Sequence, residues 1–457
     1  MIIKNIRIID PASQADETGS IYIKDGRIEK ITLSGETPDK SADETSDKPG
    51  NANPDKSGEE KTNNPSEQII DGTGLVCAPG LVDVHVHFRD PGFTYKEDID
   101  SGARSAAAGG FTSVVMMANT KPAIDSEETL RYVLDKATET SIHVYTCADI
   151  TMGLKGTQLT DMEHLAGLGA VGFTDDGIPL KAADVCRSAM ELAGKLHMPL
   201  SFHEEDPAYI TNNGINRGEA SEYYGVGGSP RDAEISLIDR DIKLAGEIYD
   251  TDPDLCPDIV IQHISSAEGV DLVRQARKTN KHVHAEATPH HFSLTEDALI
   301  KHGTMAKMNP PLRTEEDRLA IIEGLCDGTI ELISTDHAPH SSEEKAKSIT
   351  EAPSGIIGLE TSLALGITNL VKKSGLALLE LLSKMTVNPA KLYGLDAGRI
   401  YEGGPADLVI FDPDEEWTVP DKFVSKSCNT PFTGEKLYGH VHMTICGGEV
   451  VYRRQMR

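Results

Sequence analysis

His85 and His87 stand two positions apart at the end of an apolar run, Gly80-Leu81-Val82-Asp83-Val84-His85-Val86-His87. Side chains of an extended strand alternate faces, so residues two apart project the same way and both imidazoles can address one point. Other apolar runs end in the same kinds of residue: Asn119, the pair Asp175-Asp176, His203, His263, and Asp336 followed by His337 and His340. Imidazole nitrogen with carboxylate oxygen is the usual donor set of a catalytic zinc rather than a structural one. Three protein ligands and a water serve a mononuclear site. Four histidines and two aspartates exceed that need. They point to two ions about 3.5–4 Å apart, sharing a carboxylate and a hydroxide, which polarise a carbonyl and acidify the attacking water.

Residues so placed need a scaffold that gathers strand ends. Eight apolar segments meet that need: 80–87, 111–119, 142–150, 170–176, 199–205, 258–265, 282–291 and 331–339. Helical patterns separate them, for instance 127–138 and 181–196. Eight strands alternating with helices predict an α/β fold, a closed parallel (β/α)8 TIM barrel, whose functional groups collect at the C-terminal ends of the strands. The alternative is an open doubly wound sheet, but no Gly-x-Gly-x-x-Gly or Gly-x-x-x-x-Gly-Lys-Ser/Thr loop follows the first strand.

Both chain ends read as short strands. Asp25-Gly26 between β-branched runs predicts a hairpin, and apolar runs return at 403–412 and 440–452. Neither end can build a core alone, so one small β-sandwich domain is expected from 1–75 and 396–457, with the barrel over 76–395 inserted between its halves. Residues 34–68 hold only Ala42 and Ala52 as apolar side chains, with nine acids and four lysines. Such a segment buries too little surface to offset ordering and is expected to be a disordered acidic insertion.

The 457 residues carry 44 Lys and Arg against 73 Asp and Glu, a net charge of −29. That field opposes general binding to nucleic acid or an anionic membrane. Seven scattered cysteines without a Cys-x-x-Cys pair suggest neither a disulfide framework nor a thiolate zinc site, and point to a reducing compartment. With no signal peptide and no apolar span of about 18 residues, a soluble cytoplasmic protein is expected.

The run Pro79-Gly80-Leu81-Val82-Asp83-Val84-His85-Val86-His87-Phe88-Arg89-Asp90-Pro91-Gly92 resembles the signature of cyclic amidohydrolases. Two more runs are similar to those of dihydroorotases: Lys307-Met308-Asn309-Pro310-Pro311-Leu312-Arg313 and Ser334-Thr335-Asp336-His337-Ala338-Pro339-His340. The resemblance spans the chain apart from 34–68. It implies two Zn2+ ions, one held by His85, His87 and Asp336, the other by His203 and His263. Many relatives bridge the ions with a carboxylated lysine at the end of the fourth strand. Here Gly172-Phe173-Thr174-Asp175-Asp176-Gly177 has none, which resembles the bacterial branch bridged by the second aspartate, Asp176, with Asp175 as the alternative.

The same resemblance implies substrate contacts from Arg89, Asn119, Asn309, His340 and the backbone at Gly355. Ala118 stands where the family carries proline, and Ser354 where it carries a bulkier residue. The implied reaction closes N-carbamoyl-L-aspartate to L-dihydroorotate and water, reversibly, in pyrimidine synthesis. A bridging hydroxide attacks in the opening direction, and Asp336 shuttles the proton. Rival readings are an allantoinase or hydantoinase-like cyclic amidohydrolase, and a non-catalytic scaffold for aspartate carbamoyltransferase. Association with that enzyme and homo-oligomerisation are both open to such a chain.

Other polar residues have blander readings. His290 and His291 are neighbours on opposite faces of a strand, so at most one points inward. His143, His164, His197, His282, His284 and His302 read as surface or satisfied core residues. His337 reads as a support for Asp336, Arg313 as a substrate contact or scaffold ion pair, and Glu204 and Glu205 as orienters of His203 or solvated acids.

Overall fold

The computed structural model describes residues 1–34 and 68–455. The insertion expected over 34–68 therefore lies almost wholly outside the described residues.

The N-terminal segment forms β1 (Ile2–Asp10), β2 (Ala15–Lys24) and β3 (Arg27–Leu33), then β4 (Ile69–Asp71) and β5 (Val76–Pro79). Asp25 and Gly26 join β2 to β3 with φ of 50° and 78°. Positive φ at both central residues is the turn that matches strand twist, and Asp-Gly supplies it at low cost. The alternating Ile6 and Ile8 of β1, with Ile21, Ile23 and Ile28, face Leu408, Ile410 and Ile445 from the other chain end in one apolar cluster.

Those C-terminal residues belong to β14 (Leu408–Thr418) and β15 (Lys436–Cys446), followed by β16 (Glu449–Arg453). The sheet order is β16-β15-β14-β5-β1-β2-β3, with β4 beside β1. β5 pairs parallel to β1 and antiparallel to β14, so it joins the terminal sheet before the chain enters the barrel.

The barrel strands are β6 (Leu81–Val86), β7 (Phe111–Met116), β8 (His143–Thr146), β9 (Phe173–Thr174), β10 (Leu200–Phe202), β11 (Ile259–Ile261), β12 (Val283–Ala287) and β13 (Leu332–Ile333). They form two parallel runs, β6-β7-β8 and β9-β10-β11-β12-β13. Bridges Ala148–Phe173 and Val86–His337 join the runs at both seams. The Ala148 N–H donates to Gly172 O (3.0 Å) and the His87 N–H to His337 O (2.9 Å), which closes the ring. The expected barrel with a β domain drawn from both termini is thus the fold formed.

Each strand is shorter than its apolar segment, because the chain leaves the ladder where polar residues turn toward the mouth. Two residues beyond β11, His263 has φ 32°, and three beyond β13, Asp336 has φ 48°. Such conformations end regular pairing and are tolerated where surrounding contacts enforce them.

Helices between the strands begin at side-chain caps. Asp98 and Ser101 form a capping box on Ile99–Ala108, Ser126 caps Glu127–Ala137, and Ser266 caps Ala267–Ala276. Among the described residues no helix is long and apolar enough to cross a membrane.

Candidate metal centre

The ends of six barrel strands converge on one cavity of about 400 Å³, lined by His87, Asn119, Asp176, His203, His263 and Asp336 among others. His85, on β6, lies beneath it and is fully buried. One donor atom each from His85, His87 and Asp336 lies within 4.8 Å of the others, and the same holds for His85, Asp176 and His263. The sequence-predicted ligands are therefore brought together.

Second contacts fix which nitrogen of each ring faces the centre. His85 Nδ1–H donates to Glu286 Oε1 (2.5 Å), leaving Nε2 as a bare acceptor. Asn119 Nδ2 donates to Asp176 Oδ2 (2.8 Å), so its Oδ1 accepts from His87 Nδ1 (3.0 Å) and leaves His87 Nε2 free. His87 Nε2 then sits 3.0 Å from Asp336 Oδ1 and 3.5 Å from Asp176 Oδ2. His85 Nε2 lies 3.5 Å from Asp176 Oδ1 and 3.6 Å from Asp336 Oδ1, without a hydrogen-bond partner. On the other side of Asp176, His203 Nδ1 and His263 Nε2 approach to 2.9 Å.

Nitrogens aimed at carboxylate oxygens need a proton or a metal cation between them, and imidazole nitrogens converging with carboxylate oxygens are the ligand types of a divalent ion such as zinc, so this donor set fits one. The electrostatics agree. Burial works against ionised Asp176, yet His85, then His87 and His203, hold its carboxyl well below the usual carboxylate range. Burial also works against charged His85, but Glu286 and Asp176 raise its pKa well above the ordinary imidazole value. Burial, with His203 and His85 nearby, pushes His263 well below that value. The carboxylates demand positive charge that neighbouring imidazoles cannot all carry.

Asp175 points elsewhere. It accepts the N–H groups of Ile150 (2.8 Å) and Thr151 (3.0 Å) and the Thr151 hydroxyl. Asp176 is the member of the pair that faces the histidines.

Arg89, with φ 60°, lines the same cavity. Its guanidinium makes no ion pair or hydrogen bond among the described residues, and its Nε is buried without a partner. Asn309, His340 and Gly355 share the cavity wall. Asn309 Nδ2 donates to His203 Nε2 (3.1 Å), and His340 Nε2–H to Ser354 O (2.8 Å).

Of the residues read more blandly, Glu205 Oε2 lies 3.4 Å from His203 Nε2. His337 accepts the Gly358 N–H (3.2 Å) and lies 3.5 Å from Glu97, away from the cavity. Arg313 is held by Ser265 and Asn216 inside the scaffold. His290 and His291 do not extend β12. They lie in a buried helix, Pro289–Ser293, capped by Thr288, and neither lines the cavity.

Three supporting residues escaped the sequence reading. Glu286, on β12, holds His85 and also accepts the His263 N–H (3.1 Å). Asp83 accepts the N–H groups of His85 (3.1 Å) and Thr335 (3.2 Å), tying together the strand ends that carry His85 and Asp336. Asn429, from the terminal domain, accepts the His340 N–H (3.1 Å) and donates to Ala338 O (3.1 Å) and Gly355 O (3.0 Å). An acid two positions before a histidine in one strand was the available signal for Asp83.

The family model described as Amidohydrolase family matches residues 76–451. This chain belongs to the amidohydrolase family. Within the family it falls among the dihydroorotases. The dihydroorotase of Clostridioides difficile (strain 630) is 52% identical over 452 residues, 99% of each chain. That of Lactococcus lactis subsp. lactis (strain IL1403) is 48% identical over 453 residues, again 99% of each. Among solved structures, the L-hydantoinase (dihydropyrimidinase) from Arthrobacter aurescens superposes with a TM-score of 0.80 at 25% identity, covering 100% of this chain and 96% of that one. As an amidohydrolase the chain is an enzyme, and its histidine and aspartate cluster lies at the barrel mouth.

Proposed function

We propose that this amidohydrolase is a dihydroorotase, interconverting L-dihydroorotate plus water and N-carbamoyl-L-aspartate, the ring-closing direction serving pyrimidine synthesis. One observation carries the choice of substrate: Arg89 offers a guanidinium with no partner among the described residues, in the same cavity as the histidine and aspartate cluster. A guanidinium binds a carboxylate through two parallel hydrogen bonds. Dihydroorotate carries that carboxylate, and unsubstituted dihydropyrimidine and hydantoin rings do not.

His85, His87, His203, His263, Asp176 and Asp336 would hold two divalent ions, which we take to be Zn2+, with Asp176 between them. When bound, such ions lower the pKa of water and polarise a carbonyl oxygen. The chain's own residues do the rest. Arg89, with Asn309, His340 and the Gly355 backbone beside it, orients the substrate so that its ring amide carbon meets the attacking water. The Asp336 carboxylate takes the proton released as the carbon–oxygen bond forms. It returns that proton to the ring nitrogen as the carbon–nitrogen bond breaks. Glu286 and Asn119 keep His85 and His87 in the tautomers that present Nε2 inward.

The test is ring opening by metal-loaded protein on dihydroorotate, allantoin and dihydrouracil in parallel. Turnover of dihydroorotate well above the two neutral rings is expected. Turnover confined to the neutral rings would replace this reading with a hydantoinase-like one.

A further inference from the structure

A second convergence of ligand-type side chains lies at the opposite end of the barrel. His143 is the first residue of β8, Asp407 immediately precedes β14, and Cys446 ends β15. One donor atom from each lies within 4.8 Å of the other two. His143 Nε2 is 2.9 Å from Asp407 Oδ2. The Gly447 N–H donates to Asp407 Oδ1 (2.7 Å), which turns the other oxygen toward the imidazole and the thiol. Asp407 and Cys446 are buried, while His143 is exposed and opens the cluster to solvent.

His143 and Asp407 form an ion pair, and the Cys446 thiol lies against both of them. Outside this cluster, Cys446 Sγ makes a weak contact with Thr112 O at 3.9 Å. Burial, aided by Asp407, raises the Cys446 pKa, whereas His143 opposes the rise. The three groups are thus already coupled electrostatically. Imidazole, carboxylate and thiolate form a borderline-soft set that suits Zn2+ or Co2+, whereas Mg2+ and Ca2+ take oxygen ligands. Zinc bond lengths of about 2.0–2.3 Å place tetrahedral donors about 3.2–3.7 Å apart. The cluster's separations, from 2.9 Å to at most 4.8 Å, bracket that range.

We propose that His143 Nε2, Asp407 Oδ2 and Cys446 Sγ form an open zinc-type site, with water as the fourth ligand, that ties the terminal sheet to the base of the barrel. Binding releases the thiol proton and frees the imidazole nitrogen from its own proton; no redox partner is needed. The site is independent of the reading given to the mouth of the barrel.

The cavity at the mouth has no cysteine in its lining, so a thiolate-to-Co2+ charge-transfer band in the near ultraviolet does not arise there, and its loss on substitution assigns it to this cluster. The full-length protein, stripped with chelator and reloaded with Co2+, is expected to show that band and to bind one more ion per chain than Cys446→Ser or His143→Gln. Both variants are expected to lack the band and to keep wild-type turnover. His143 is exposed, so its variant tests the site even if Cys446→Ser misfolds. Equal ion counts in wild type and variants would overturn the site. So would a band that survives both substitutions, which would trace to the exposed Cys326 or Cys428.

Discussion

Glu286 and His85 meet across the barrel interior, carboxylate to imidazole, 2.5 Å apart and fully buried. The bond sets the tautomer of His85, and the same oxygen accepts the His263 N–H. One side chain on β12 thereby orients residues on both sides of the proposed metal pair. Glu286→Gln is expected to weaken metal affinity about 10- to 100-fold, the usual cost of losing such an outer carboxylate. Chelator competition measures it, and an unchanged affinity would reduce Glu286 to packing.

Asp175 and Asp176 separate under substitution. Asp176→Ala is expected to lose bound metal by elemental analysis. Asp175→Ala is expected to keep it, but to lose stability of about 1–3 kcal/mol because the Ile150 and Thr151 donors are left unsatisfied. Denaturant titration reads the second effect. The reverse metal result would reassign the bridge.

Arg89→Ala is expected to lower kcat/KM for dihydroorotate about 100-fold, about 3 kcal/mol, the scale of a lost charge-assisted pair. Arg89→Lys is expected to recover only part, because an ammonium keeps the charge but not the two-pronged geometry. Steady-state kinetics on both variants decides. Wild-type KM in Arg89→Ala would remove the proposed carboxylate clamp.

Asp149 gives a pH signature. Both its carboxyl oxygens are buried without partners, and burial, then Asp175 and Asp125, push it up to about 9. The folded chain keeps this proton where the unfolded chain, titrating near pH ~4, has released it. Stability from this group is full below about pH 4 and falls as pH rises toward about 9. Asp149→Asn cannot ionise, so its Tm relative to wild type is expected to climb over that window and then level off. A constant difference from pH 4 to 9 would show that Asp149 is ionised in the native state.

The barrel was legible because its strands, buried on both faces, read as continuous apolar runs, against which terminal His and Asp stand out. Strand lengths were not, since φ at His263 and Asp336 is set by contacts from other strands. Alternation says that Asp175 and Asp176 face apart but not which faces inward; the amides of Ile150 and Thr151 decide that. Nothing in the sequence singles out Glu286, between Ala285 and Ala287, because the histidine that explains it is 201 residues away. His290 and His291 were placed on a strand although Thr288-Pro289, a capping residue before a proline, is a helix-start signal.

The position of β5 between β1 and β14 bears on how the molecule is completed during synthesis. β1 and β5 are made before the whole barrel, yet one edge of β5 has no partner until residues 408–411 have been made. Domains generally fold as units while the chain grows. Here the barrel can close around its mouth while the sheet beneath it is still half built, so β14 to β16 act as the closing seam of a structure begun by β1.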